Sequence, residues 1–109
     1  MDIFLELIQR AEGLELSQLE PLTTLLVWTW HTLYRMVVTE GCDVLVQGGS
    51  HFPVPTPASV DGASAGGSFL KVGWVGVGLV MELRVDGKRI VTSPVVAIAA
   101  EPPRVSAVH

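Results

Sequence analysis

Apolar and polar positions follow two different periods along this chain. Over residues 2–12, Ile3, Phe4, Leu7, Ile8 and Ala11 recur at i, i+1, i+4, i+5 and i+8, which is one face of an α-helix. Asp2 can accept bonds from the first-turn amides, and Gly13 suits the left-handed position just past the end. The spacing predicts an amphipathic N-terminal helix over 2–12. A second short turn is expected at Ser17–Glu20, capped by Ser17 and ended by Pro21, because the residue before proline avoids helical angles. Leu25–Val38 has no glycine or proline and is long enough for a helix. Its Val27, Trp28, Thr29, Trp30, Thr32, Tyr34, Val37 and Val38 are β-branched or aromatic, which favours strand. A period of two then puts Leu26, Trp28, Trp30, Thr32, Tyr34, Met36 and Val38 on the face assigned to the core, with Thr29, His31 and Arg35 opposite.

Downstream, ten of the eleven glycines lie between Gly41 and Gly87, separated by the apolar runs Val44–Val46, Phe69–Val72 and Leu79–Val85. Glycine spaced in this way punctuates strands. Asp86-Gly87 supplies the positive φ angles of a two-residue hairpin, which sets Leu83 opposite Ile90 and Met81 opposite Thr92. The stretch Phe52 to Pro57, with three prolines, is confined to an extended connection or an edge, and Pro94 marks an edge or bulge. Gly73, Gly76 and Gly78 allow a sharp bend within an apolar strand. The expected fold is mainly β with an N-terminal helix, as a small glycine-rich β-barrel or strongly curved antiparallel sheet. One domain spans 1–100, with its β core over 24–100, and 101–109 is a flexible tail.

Composition narrows the function classes. The chain is 49% apolar and 17% charged over 109 residues, with a mean hydropathy of +0.47, so it can fill one core and still leave apolar surface for a partner. Residues 1–20 hold five acids against Arg10, and the remainder holds six acids against six bases, so all of the net charge of −4 is N-terminal. No basic stripe exists to displace counterions from a nucleic acid polymer. The longest apolar run, Phe69–Met81, is too short for a membrane helix and contains Lys71. Acidic residues stand where a signal peptide needs basic ones, and Cys42 has no partner, which together point to the cytoplasm. A homo-oligomer is expected, with Gly73–Gly78 as its contact strand.

The blocks Gly48-Gly49-Ser50-His51-Phe52-Pro53-Val54-Pro55-Thr56, Gly62-Ala63-Ser64-Ala65-Gly66-Gly67-Ser68-Phe69-Leu70-Lys71, Gly73-Trp74-Val75-Gly76-Val77-Gly78 and Ile90-Val91-Thr92-Ser93-Pro94-Val95 occur in this order. Over residues 24 to 98 the chain thereby resembles a family of small uncharacterised bacterial proteins that share GG-x-x-FP-x-PT, GGS-x-LK, GVG-x-x-ME-L and TSPV blocks. The resemblance implies a β-rich fold and assigns no activity. Relatives carry a TRNT-Y block where this chain has Thr29-Trp30-His31-Thr32-Leu33-Tyr34, so Trp30 and His31 replace an arginine and an asparagine. In size and β-rich character the chain is also similar to phage anti-defence sponges, oligomeric proteins that sequester cyclic nucleotide signals.

Several residues are candidates for holding an anionic, possibly nucleotide-like, ligand. The pairs Gly49-Ser50 and Gly67-Ser68 can form amide nests beside Lys71 and Arg89, although turns are the commoner role of such pairs. His31, Trp74, Thr92 and Ser93 complete the set, Trp74 as an exposed stacking surface and the last two as side chains re-aimed by a bulge. Glu82 reads as a solvated or interface charge. No catalytic residue, metal or cofactor is assigned: Cys42 lies beside Asp43, the histidines have no ligand spacing, and no serine sits in a nucleophile motif. The leading expectation is a non-enzymatic, self-associating β module. An anion-binding or sequestering protein is the alternative, and a small hydrolase or isomerase comes third.

Overall fold

A computed structural model describes residues 12–65 and 69–103. It contains strands β1 (Gly13–Glu15), β2 (Thr24–Thr29), β3 (Leu33–Glu40), β4 (Asp43–Gly48), β5 (Phe52–Ser64), β6 (Leu70–Val72), β7 (Trp74–Gly76), β8 (Val80–Val85) and β9 (Lys88–Glu101). Among the described residues the one helical element is a 3-10 turn at Leu16–Gln18. The predicted N-terminal helix lies outside the described residues except for Glu12, which is in a turn. Ser17 does not cap that 3-10 turn. Its hydroxyl donates instead to Glu15 Oε2 at 2.8 Å, and the buried Leu16 side chain is what anchors the turn.

Seven strands form one antiparallel sheet in the order β4-β3-β2-β9-β8-β5-β6, and β4 also pairs with β5. The sheet is therefore curled until the pairing that leaves β4 through β3 comes back to β4 through β5. β1 and β7 form a separate antiparallel pair. Strands β2, β3 and β4 bury alternate side chains, and β5, β8 and β9 add their own inward residues. Leu25, Val27, Tyr34, Met36, Val38, Val44, Val46, Phe52, Val60, Met81, Leu83, Val95 and Ile98 make the core.

The Asp86-Gly87 hairpin forms as the sequence predicts. Asp86 has φ 51 and Gly87 φ 77, and Leu83 opposes Ile90 while Val85 opposes Lys88. Gly87→Val is accordingly expected to cost about 1–3 kcal/mol in a denaturant titration, since a β-branched residue resists positive φ. The Pro94 expectation also holds. Val80 opposes Pro94 but Glu82 opposes Val91, so Met81 faces two residues, Thr92 and Ser93, across a bulge. The Met81 N–H donates to Thr92 Oγ1 at 3.0 Å, in place of the straight Met81–Thr92 pairing. The proline-rich start of β5 is a one-sided strand, paired with β4 alone until Ser59. Glu101, expected in a loose tail, pairs with Thr24, and residues 104–109 lie outside the described residues.

The stretch 25–38 departs from the single long strand that its alternation suggests. It is a hairpin, β2–β3, that reverses at Trp30-His31, with Thr29 N–H donating to Thr32 O at 2.8 Å. Two threonines act as the turn residues, the Thr29 hydroxyl both donating to Thr32 O at 2.9 Å and accepting from Thr32 N–H at 3.1 Å. Because the chain reverses there, the inward set changes phase. Leu25, Val27 and Thr29 point in on β2, and Tyr34, Met36 and Val38 point in on β3. Trp28 and Trp30, assigned to the core by the unbroken period, are on the outside, Trp30 at 68% exposure.

Candidate functional site

The β2–β3 turn brings the first group of candidate residues together. His31 N–H lies 3.3 Å from Ser93 Oγ, Trp30 N–H donates to Pro94 O at 3.1 Å, and Gly49 packs against the Thr32 side chain. The Thr32–Gly49 contact and the turn's bonds to the β9 bulge thus gather His31, Gly49 and Ser93 at one end of the curl, and Ser50 is exposed beside Gly49. Thr92 is not available to a ligand: it is buried, and its hydroxyl donates to Ser93 O at 2.7 Å while accepting from Met81 N–H.

Next to this end the outer face of β3, β2 and β9 is apolar. Leu33 opposes Trp28, and Trp28 opposes Ala97, so the three lie in one outward row. A second register shift, where Trp28 pairs with Ala97 but Thr29 pairs with Val95, leaves Val96 as an extra residue. Val95 and Ile98 are buried, so Val96 and Ala97 both face out. Trp28, Trp30, Leu33 and Val96 are all exposed. The next rows of this face carry Arg35 opposite Leu26, then Glu101 opposite Thr24.

The second group of candidates separates. Lys71 opposes Ala63, and Ala63 opposes Met81, a core residue. Glu82, Arg84 and Arg89 are on the other face, so Lys71 and Arg89 do not share a site. Lys71 instead lies 3.7 Å from the ring centroid of Trp74. The Trp74 indole is covered on its other sides by Gly13 and Gly76. A Cβ at Gly76 would meet Trp74 Nε1 at 2.8 Å, and one at Gly13 would run into the indole ring. Trp74 is thus a half-buried packing residue, not the open stacking surface its glycine neighbours suggest. Gly67 and Ser68 lie outside the described residues.

Glu82 also differs from its solvated reading. It is buried, with Oε2 accepting from Ser64 Oγ at 2.6 Å and Oε1 accepting from Arg89 Nε at 2.9 Å. These bonds, led by that from Arg89, hold its carboxyl below the usual carboxylate range against the opposing effect of burial. Because the folded-state pKa is depressed, the stabilisation is present above the unfolded pKa of about 4.3 and is lost as pH falls. Urea midpoints between pH 6 and pH 3 should fall less steeply for Glu82→Gln than for the natural chain. Alongside, Arg84 Nη2 donates to Asp61 Oδ2 at 3.0 Å.

The chain matches no family model, no curated protein and no solved structure. Among the described residues no three His, Cys, Asp or Glu side chains come close enough to hold a metal ion, and no helix is long and apolar enough to cross a membrane. An apolar groove of about 310 Å³ is lined by Ala63, Ser64, Ala65, Phe69, Leu70, Lys71 and Leu79. Sequence reading missed Ser64, Asp61 and Arg84. The alternating Glu82-x-Arg84 spacing was the one available signal, because it places both charges on one face of a strand.

Proposed function

We propose that the protein is a small, non-enzymatic β-barrel module of the cytoplasm that works by self-association, two copies meeting through the outer face of β2, β3 and β9. The carrying observation is the position of Trp28 and Trp30: two of the three tryptophans face outward beside Leu33 and Val96. Large apolar side chains clustered in this way mark an interaction surface, and tryptophan is the residue most often found at the energetic centre of one. A second copy fits better than a charged partner. Residues 21–109, which form the β core, carry six acids and six bases, so this part of the chain presents no net charge to a second copy. The apolar rows are bordered by a cation, Arg35, and then an anion, Glu101. The return of the sheet pairing to β4 supports reading the curl as a barrel, and the unpaired thiol of Cys42 supports a reducing compartment.

The contact strand expected from sequence, Gly73–Gly78, offers less open surface than its glycines suggest. β7 pairs with β1, and Val75 and Gly76 are buried under the fold's own chain. Light scattering after size exclusion, at tens of micromolar, tests the proposal. The natural chain is expected at a multiple of its 11.7 kDa mass, and the double variant Trp28→Arg, Leu33→Arg at the monomer mass with an unchanged far-UV spectrum. A monomeric natural chain would defeat the reading.

A further inference from the structure

Arg84 and Arg89 stand directly opposite each other in the β8–β9 register, beside the hairpin turn. Both side chains are about half exposed, at 51% and 54%. Like charges set opposite on one sheet face repel, yet each guanidinium is fastened. Asp61 projects from a register shift between Val60 and Gly62 and holds Arg84 Nη2 at 3.0 Å. Glu82 holds Arg89 Nε at 2.9 Å, and Ser64 donates to its other oxygen at 2.6 Å.

Glu82 is the informative member of this group. Burying a carboxylate is unfavourable unless it is fully bonded, and an arginine that merely solubilises a surface needs no such support. Bonding at Nε fixes the plane of the Arg89 guanidinium and leaves both terminal nitrogens without a protein acceptor among the described residues. Two guanidinium groups opposite each other on one face, Arg89 held through Nε with its fork open and Arg84 held through Nη2 with Nη1 and Nε open, match an oxyanion with enough oxygens for both. A carboxylate has two oxygens and satisfies one fork, whereas a phosphate monoester presents three.

We propose that Arg84 and Arg89 form a binding site for the phosphate group of a phosphate monoester, with Glu82, Ser64 and Asp61 as positioning residues. The site is on a different part of the outer surface from the apolar rows and stands whether or not the chain self-associates. Lys71, on the other face, takes no part.

Titration of the full chain with sodium phosphate, followed through the arginine Nε–H resonances by NMR, tests this. Sodium acetate at matched ionic strength is the control. Phosphate should shift both resonances saturably, with acetate at least tenfold weaker. Arg84→Gln and Arg89→Gln should each weaken phosphate binding at least tenfold. Lys88→Gln, which removes a neighbouring charge on the opposite face, should change it less than twofold. Glu82→Gln discriminates further, because loss of a negative charge alone would tighten anion binding, whereas loss of positioning weakens it. Linear, unsaturable shifts would overturn the site, as would equal losses in the lysine and arginine variants. Tighter binding by Glu82→Gln would overturn the positioning role. Glucose 6-phosphate and a phosphoserine tripeptide, titrated in parallel, separate a metabolite from a modified side chain as the source of the group.

Discussion

Replacing Phe52 by alanine is expected to remove about 3–5 kcal/mol of folding stability, the range for deleting a buried aromatic ring. Phe52 is 1% exposed and packs edge-on against Tyr34, with ring centroids 6.3 Å apart and planes at 70°. The size of the loss depends on whether the surroundings can close over the void. Here one wall is backbone: Phe52 pairs with Gly48, and Gly48 lies so close to the Leu33 carbonyl that a Cβ there would collide with it. Paired backbone moves less readily than a side chain, so the cavity stays open and the cost lies toward the upper part of the range. A domain with a typical total of about 5–15 kcal/mol is left near its unfolding threshold. Urea denaturation followed by far-UV circular dichroism measures the change. A loss under about 1 kcal/mol would show that the ring is not part of the core.

The features legible in the sequence are those fixed by neighbours in the chain. Asp86-Gly87 carries its turn in its own backbone preferences, and Leu83–Ile90 follows by counting. Pro94 removes a ladder donor, so the bulge beside it was readable too. Trp28 and Trp30 show where counting fails. Alternation across residues 25–38 is unbroken, and nothing in Trp30-His31 resembles Asn-Gly or Asp-Gly. The reversal is made by hydroxyl-to-backbone bonds between Thr29 and Thr32. One undetected turn shifted the phase of β2 and moved two tryptophans from core to surface, and that surface now carries the proposed function.

Trp74 and Glu82 were misread for a different reason. Their environments come from residues far away in sequence: Gly13 against Trp74, and Ser64 and Arg89 around Glu82. Glycine beside tryptophan looks like an opening in sequence, but here the missing side chains are the space that the indole fills. Composition places a carboxylate in water by default, and only the three-strand juxtaposition of β5, β8 and β9 supplies partners to bury it. The same juxtaposition replaces the sequence-derived pairing of Arg89 with Lys71 by one with Arg84.

Gly62→Ala should be destabilising by about 2–5 kcal/mol, combining strained backbone with overpacking. Gly62 has φ 151, and a Cβ there would press on the Lys71 carbonyl, with its carbon 2.9 Å away and Val72 Cα at 3.1 Å. These are backbone atoms of β6, which cannot rotate aside as a side chain end would. Relief requires β6 to separate from β5, which also disturbs Gly62's other partner, Glu82. Gly41→Ala isolates the conformational part, because Gly41 has φ 60 but nothing within 4 Å of the added atom. It should cost about 1–2 kcal/mol, the usual penalty for a left-handed residue with a Cβ. The difference between the two variants combines the steric contact of β6 on β5 with the larger backbone strain at φ 151. If chemical denaturation gives equal losses, β6 does not lie against Gly62 in solution, and the Ser64–Glu82–Arg89 network loses the neighbouring strand.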